Sequence, residues 1–176
     1  MGHRIHISSS GLLLCAFLLL VLPLNWFLSA ILAAIFHEVC HICAVWLCGG
    51  TILSVRITPA GTAIGISHMD RGREALCAAA GPLASLSLIL LVNKLPEVAL
   101  CAAVQGAYNL LPFYPLDGGR VLRCILPESV CVGIERLVGL LLIFCAVLLS
   151  FFLRSGIFLV FAAGIMGLRV MERKRP

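Results

Sequence analysis

The residues with the clearest chemical potential lie inside a strongly apolar stretch, SAILAAIFHEVCHICAVWLCGG at 29–50. His37 and His41 are four residues apart, so on a helix they share one face and can hold a single metal ion. Glu38 projects about 100° away, within reach of a water molecule on that metal. In this H-E-x-x-H arrangement two imidazoles hold Zn²⁺ and the carboxylate acts as general base. The spacing therefore predicts metal-assisted hydrolysis with one zinc ion as cofactor.

The apolar surroundings make these polar residues informative. A charged group at the centre of a bilayer costs about 2.5–3.5 kcal/mol on insertion scales, so Glu38 needs compensation, which a nearby metal would supply. The alternative is that the glutamate and the histidines only satisfy one another in a polar contact between helices. Cys40 and Cys43 form a C-x-x-C pair without a second pair, which indicates packing rather than a zinc or redox site.

A zinc site with two histidines needs a third protein ligand and an open position for water. Most of the other acidic residues lie in loops or at helix ends: Asp70, Glu74, Glu97, Glu128, Glu135 and Glu172. Asp117 differs, because the prolines and glycines of PFYPLDGGRVLRCILP at 112–127 break the helix at membrane depth. Irregular backbone in a bilayer must be buried in protein or line a wet cavity. Asp117 is therefore expected to point inward and complete a His₂Asp site, with a simple Asp-Gly turn as the alternative.

Composition indicates the class of protein that positions these residues. The chain has 176 residues, 61% hydrophobic and 12% charged, with a mean hydropathy of +1.11. A soluble domain carries about a quarter charged residues. A helix needs about 20 residues to cross a bilayer. Six apolar segments of about that length or somewhat shorter run over 7–24, 26–48, 75–92, 97–111, 134–153 and 156–170. The sequence predicts an all-α polytopic membrane protein with about six transmembrane helices, in a single domain over 1–176.

Residues 51–68 do not fit a transmembrane helix, because β-branched residues there are interrupted by Pro59, Gly61 and Gly65. They predict a short β-hairpin that lies against the membrane after the second helix. Two roles remain open for it. The hairpin either pairs with an extended substrate along its edge or only seals the site.

The distribution of basic residues predicts the orientation in the membrane. With a cytoplasmic N-terminus, eleven of the thirteen Lys and Arg residues fall on the inner side, leaving Lys94 and Arg154 outside. This imbalance is typical of an even number of crossings with both termini in the cytoplasm. We therefore expect a multi-pass protein of a bacterial-type inner membrane whose metal residues open toward the cytoplasm. Because the basic residues are scattered through loops, no nucleic-acid partner is expected.

Two motifs together resemble a known family. HEVCH on a transmembrane helix, followed by NLLPFYPLDGGR at 109–120, resembles the site-2 protease family of intramembrane zinc metalloproteases, and AAAGPLASL at 78–86 is similar to that family's Gly-Pro helix start. The resemblance implies a three-helix catalytic core over about 26–126. It covers most of the chain.

The resemblance also implies roles for individual residues. His37, His41 and Asp117 would be the zinc ligands and Glu38 the general base. Asn109 would contact the substrate or the developing oxyanion, with a plain hydrogen bond between helices as the alternative.

The chain departs from the family pattern at Ser85, where members often carry Asn, and this weakens the expectation of polar support there. No PDZ-like insertion fits between the segments, and no C-terminal regulatory domain is expected after Arg175. This compact build is most similar to the sporulation branch, the stage IV sporulation protein FB type. Members of that branch release a membrane-tethered sigma-factor precursor.

The predicted function is hydrolysis of a peptide bond in or next to a transmembrane segment of a membrane-tethered protein. The expected partners are that substrate, the lipid bilayer and membrane-embedded inhibitor or regulator proteins. The alternative is a non-catalytic protein, either a metal carrier or a pseudoprotease that binds transmembrane helices. A carrier should offer ligands on both sides of the membrane, and a pseudoprotease should lack the base or a ligand. The sequence has a single cluster with both, which favours the enzyme.

Overall fold

The computed structural model describes residues 4–7, 16, 18–58, 61–67 and 69–153. The chain forms two compact units, residues 1–127 and residues 128–176. In chain order, the described elements of the first unit are β1 (Arg4–Ile7), α1 (Leu24–Leu47), β2 (Ile52–Thr58), β3 (Gly61–Ile66), α2 (Arg71–Ser87), α3 (Pro96–Asn109) and α4 (Asp117–Ile125). In the second unit the described element is α5 (Glu128–Leu153).

Within the described residues, three helices are long and apolar enough to cross a membrane: Leu24–Leu47, Arg71–Leu91 and Glu128–Phe152. They correspond to the second, third and fifth predicted segments, which confirms the mostly helical prediction. The Arg71–Leu91 span includes a short 3-10 turn, Leu88–Leu91, that continues α2.

The predicted number of six crossings is not reached in the described residues. The fourth segment is helix α3, which has 14 residues and begins with Pro96. At 1.5 Å per residue it is about 21 Å long, less than the hydrocarbon thickness of about 30 Å. The predicted sixth segment and most of the first lie outside the described residues, although residues 18–21 of the first are helical. Six crossings therefore stay a prediction.

The strands form one sheet in the order β1-β2-β3. β2 and β3 are antiparallel, with Val55 opposite Ile64, and they occupy the segment in which the hairpin was predicted. β1 is parallel to β2, with Ile5 opposite Val55, and this third strand was not predicted. Whether the sheet lies against a membrane stays a prediction.

Helices α1, α2 and α3 pack against one another, and α4 packs against α2. Small residues make this close packing possible: Ala33, Ala78, Ala99 and Ala102 are at most 1% exposed. At Gly106 of α3, an added Cβ would lie 2.9 Å from the carbonyl oxygen of Pro82 in α2. Close approach of this kind is typical of helices in membranes, where small residues line the contact. The bundle holds the polar residues of α1 against α2.

Candidate metal site

Helix α1 turns its two histidines toward the interior of the bundle. Its buried residues are Ser29, Ala33, His37, His41 and Val45, spaced four apart along one face. His37 is 2% exposed and His41 is 7% exposed. Because the opposite face is apolar and exposed, this stripe fixes the direction of both imidazoles.

Three side-chain atoms meet at this face. The Nε2 atoms of His37 and His41 are 3.1 Å apart. Asp117 Oδ2 lies 3.2 Å from His37 Nε2 and 3.1 Å from His41 Nε2. Asp117 is 80 residues from His37 in the chain and is 9% exposed. The structure thus brings the three predicted ligands into one nearly equilateral triangle, buried in the first unit.

The two glycines after Asp117 explain how its carboxylate reaches the triangle. Asp117 is the first residue of α4, which follows an irregular segment. A Cβ at Gly118 would overlap the backbone of Leu110, and one at Gly119 would overlap the backbone of Phe113. Only glycine lets α4 pack this closely on the preceding segment.

The second oxygen of Asp117 faces a basic side chain. Arg120 Nη1 lies 3.7 Å from Asp117 Oδ1, and its side chain is 25% exposed. Arg120 therefore neutralises the oxygen that points away from the imidazoles, and Oδ2 remains directed at the His37–His41 pair.

Helix α2 holds the far side of each imidazole. His41 Nδ1 donates a hydrogen bond to the carbonyl oxygen of Cys77 at 2.7 Å, and His37 Nδ1 lies 2.9 Å from Ser85 Oγ. Ser85 is 0% exposed. The expectation of only weak polar support at Ser85 was wrong, because the Ser85 hydroxyl directly contacts His37, a histidine of the triangle.

Gly81 completes this contact. A Cβ at residue 81 would overlap the His41 ring, approaching Cδ2 to 2.6 Å and Cε1 to 2.7 Å. Residues 77, 81 and 85 are four apart and buried, so they form one stripe along α2 that receives both histidines. The small residues in AAAGPLASL were the signal for this stripe in the sequence, but the part played by the Cys77 carbonyl carries no sequence signal.

The protonation of the clustered side chains suits a metal cation. A carbonyl oxygen only accepts hydrogen bonds, so His41 Nδ1 carries a proton and the Nε2 atom of the neutral ring presents a lone pair. That lone pair faces a carboxylate oxygen and a second imidazole nitrogen, an arrangement that a cation stabilises. A tetrahedral zinc ion with bonds of about 2.0–2.1 Å separates its ligand atoms by about 3.3 Å. The observed separations of 3.1 and 3.2 Å fit it.

Glu38, Asn109 and the C-x-x-C pair, which the sequence also singled out, are not part of the triangle. Glu38 follows His37 on α1, is half-buried, and has its Oε2 atom buried. Asn109, at the end of α3, donates from Nδ2 to the carbonyl oxygen of Gln105 at 3.1 Å. Cys40 and Cys43 are free thiols. Among the described residues, the cluster able to hold a metal consists of the two histidines and Asp117, so the C-x-x-C pair lies outside it.

Comparison with known proteins identifies the family. Residues 11–107, more than half of the chain, match the family described as Peptidase M50B-like. The chain belongs to the M50B-like peptidases. Together with the apolar helices, this membership identifies an integral membrane protein.

Two proteins similar to this M50B-like chain come from Methanocaldococcus jannaschii. The protein named zinc metalloprotease MJ0392 is 28% identical over 117 residues, which cover 58% of this chain and 34% of that protein. The M50B-like chain thus spans about a third of the length of this relative. The solved structure of a site-2 protease has a TM-score of 0.63 at 21% identity, covering 93% of this chain and 87% of that chain. This second likeness shows a shared fold.

Proposed function

We propose that this protein is an intramembrane zinc metalloprotease that hydrolyses a peptide bond in or next to a transmembrane segment of a membrane-tethered protein. One observation carries the proposal. His37 Nε2, His41 Nε2 and Asp117 Oδ2 meet within 3.2 Å of one another in the interior of the helical unit. Two nitrogens and one oxygen form the ligand set of a catalytic zinc site, which keeps a fourth position open. Membership of a peptidase family supports the same conclusion.

Each residue has a distinct task in this proposal. Zinc, when bound, would supply Lewis acidity that polarises the scissile carbonyl and lowers the pKa of the attacking water to about 7. Glu38 accepts a proton from that water and then donates it to the amine nitrogen that leaves. No covalent intermediate forms, so Cys40 has no catalytic task. The hydrogen bonds from Nδ1 of each histidine keep the imidazoles in the orientation that ligation requires.

Asn109 is proposed to bind the substrate or the developing oxyanion. Its amide nitrogen carries two protons, and the bond to the Gln105 carbonyl uses one of them. The second proton can then be donated to a substrate oxygen. Its position at the last residue of α3, a few residues before Asp117, supports this role.

Access is proposed from the cytoplasmic side, with both termini of this chain in the cytoplasm. His41 lies one turn closer than His37 to the end of α1 that the basic residues assign to that side. A helical substrate hides its peptide bonds, so it must unwind before cleavage. In the sheet order, β1 covers one side of β2 and β3 forms the opposite edge. That edge is proposed to bind the unwound segment by strand addition, with sealing of the site as the other role.

The proposed substrate is the precursor of a membrane-tethered transcription factor, of the sporulation sigma-factor type. Support for this narrower proposal comes from the compact build, in which no PDZ-like insertion fits between the apolar segments, because this build is most similar to that branch. Membrane-embedded inhibitor or regulator proteins are proposed as further partners.

Co-expression with such a tethered precursor tests the catalytic proposal. We expect the intact protein to release the precursor and Glu38→Gln to leave it uncleaved, while the variant keeps its zinc. Glu128→Gln serves as the matched control, because this exposed glutamate lies in the first turn of α5. Processing that is equal in Glu38→Gln and the intact protein would overturn the catalytic role. Loss of processing together with loss of zinc would assign Glu38 to metal binding instead.

A further inference from the structure

We infer that Ser85 is a positioning residue that sets the orientation and proton position of His37, and thereby the strength of metal binding. The inference rests on the proposed zinc site. It adds a side chain on α2 to a centre whose ligands come from α1 and α4.

The contact is short and fully enclosed. Ser85 Oγ lies 2.9 Å from His37 Nδ1, and the serine is 0% exposed while His37 is 2% exposed. Water therefore cannot replace the hydroxyl as the partner of Nδ1. When the hydroxyl accepts a hydrogen bond from Nδ1, the proton stays on Nδ1 and the lone pair of Nε2 points at Asp117 Oδ2, 3.2 Å away.

The two histidines have different hydrogen-bond partners, so the effect of Ser85 on His37 can be tested without disturbing His41. His41 Nδ1 bonds to the backbone carbonyl of Cys77, a partner that no side-chain substitution removes. His37 Nδ1 depends on one hydroxyl. A change at residue 85 therefore loosens a single ligand and leaves the other in place.

The packing around Ser85 explains why a small polar residue occupies the position. Gly106 of α3 lies so close that a Cβ added to it would be 3.1 Å from Ser85 Cβ. A larger residue at position 85 would push α3 away from α2. Alanine keeps the volume and removes only the hydroxyl, so Ser85→Ala tests the hydrogen bond without a steric change.

The experiment measures zinc affinity of the full chain in detergent micelles by competition with a chelator. We expect Ser85→Ala to bind zinc about 10–100-fold more weakly, the usual effect of losing an outer partner of a metal-bound histidine. Ser87→Ala is the matched control, because Ser87 lies on the same helix, is exposed and donates to the Ala84 carbonyl. Its zinc affinity should equal that of the intact protein.

Two further readouts separate positioning from folding. The absorption spectrum of the Co²⁺-loaded protein should shift in Ser85→Ala, and the thermal unfolding of the metal-free variant should match that of the intact protein. If Ser85→Ala fails to fold, Ser85→Cys decides, because cysteine is only slightly larger than serine and its thiol is a weak hydrogen-bond partner. If the folded variant binds zinc as tightly as the intact protein, the inference about Ser85 is overturned, but the proposed function is not. An intact protein that binds no zinc would overturn the proposed function as well.

Discussion

Gly81 of α2 lies directly against the imidazole of His41, and a Cβ at residue 81 would overlap the ring. One turn earlier on the same helix, the Cys77 carbonyl accepts the hydrogen bond from His41 Nδ1. The ring is therefore held by a hydrogen bond at Nδ1, and its Nε2 atom packs against Gly81, which has no side chain. Helix α2 contributes no residue to the cluster of His37, His41 and Asp117, yet its contacts hold both imidazole rings in place.

We predict that Gly81→Ala abolishes or strongly weakens zinc binding. The added methyl group takes the space of His41 Nε2, so the ring must turn away from Asp117 or α2 must move. Overpacking of this kind costs about 1–3 kcal/mol of stability. The measurement is zinc content after chelator competition, with the melting temperature recorded in parallel.

Gly72→Ala is the control for that substitution. Gly72 is also on α2, but its Cβ would meet nothing closer than Asp70 Oδ2 at 3.9 Å. Its zinc affinity should be unchanged. Equal zinc affinity in Gly81→Ala and Gly72→Ala would contradict the contact between Gly81 and His41.

We predict that Asp117→Asn weakens zinc binding by more than the factor of about 10–100 expected for an outer partner. The amide keeps the shape of the carboxylate but removes the negative charge that faces both Nε2 atoms. Asp70→Asn is the matched control, since Asp70 is exposed and caps α2 by accepting from Gly72 N. Asparagine caps helices equally well. Titration of zinc into both variants provides the comparison, and an Asp117→Asn protein with intact affinity would rule out Asp117 as a ligand.

The meeting of His37, His41 and Asp117 could be predicted because each signal is local. The histidine spacing defines one helix face, and Asp117 stands out as an acidic residue in a broken apolar segment. Their tasks as ligands stay proposals.

The supporting contacts could not be predicted in the same way. The Cys77 carbonyl is backbone and has no residue-type signal, and Ser85 differs from the Asn that the family often carries. Strand β1 has four residues and is ordered by pairing with β2, about fifty positions later in the chain, a non-local interaction without a sequence pattern.

We predict that Gly118→Ala lowers both stability and zinc affinity. The new Cβ would overlap the Leu110 carbonyl group, so α4 must shift and carry Asp117 with it. Gly133→Ala is the control, because nothing lies within 4 Å of a Cβ there. Gly133 lies in the second turn of α5, inside the helix, so alanine there should be neutral or stabilising by up to about 1 kcal/mol. Thermal unfolding and zinc titration check both variants. If Gly118→Ala keeps the melting temperature and the zinc affinity of the intact protein, the close packing of Gly118 on Leu110 is not required to place Asp117.

The final prediction concerns the opposite end of the bundle, where Glu97 of α3 joins α1. Glu97 Oε1 accepts from Asn25 Nδ2 at 2.5 Å, and Oε2 accepts from Ser29 Oγ at 3.5 Å. Asn25 is exposed, so water competes for this contact, and Asn25→Ala should lower the stability by only about 0.5–1.5 kcal/mol, the net contribution of an ordinary hydrogen bond. Zinc affinity should not change, because His37 is two turns further along α1 than Ser29. Asn93→Ala, an exposed asparagine, is the control. If Asn25→Ala and Asn93→Ala unfold at the same temperature, the contact with Glu97 contributes nothing to the packing of α1 on α3.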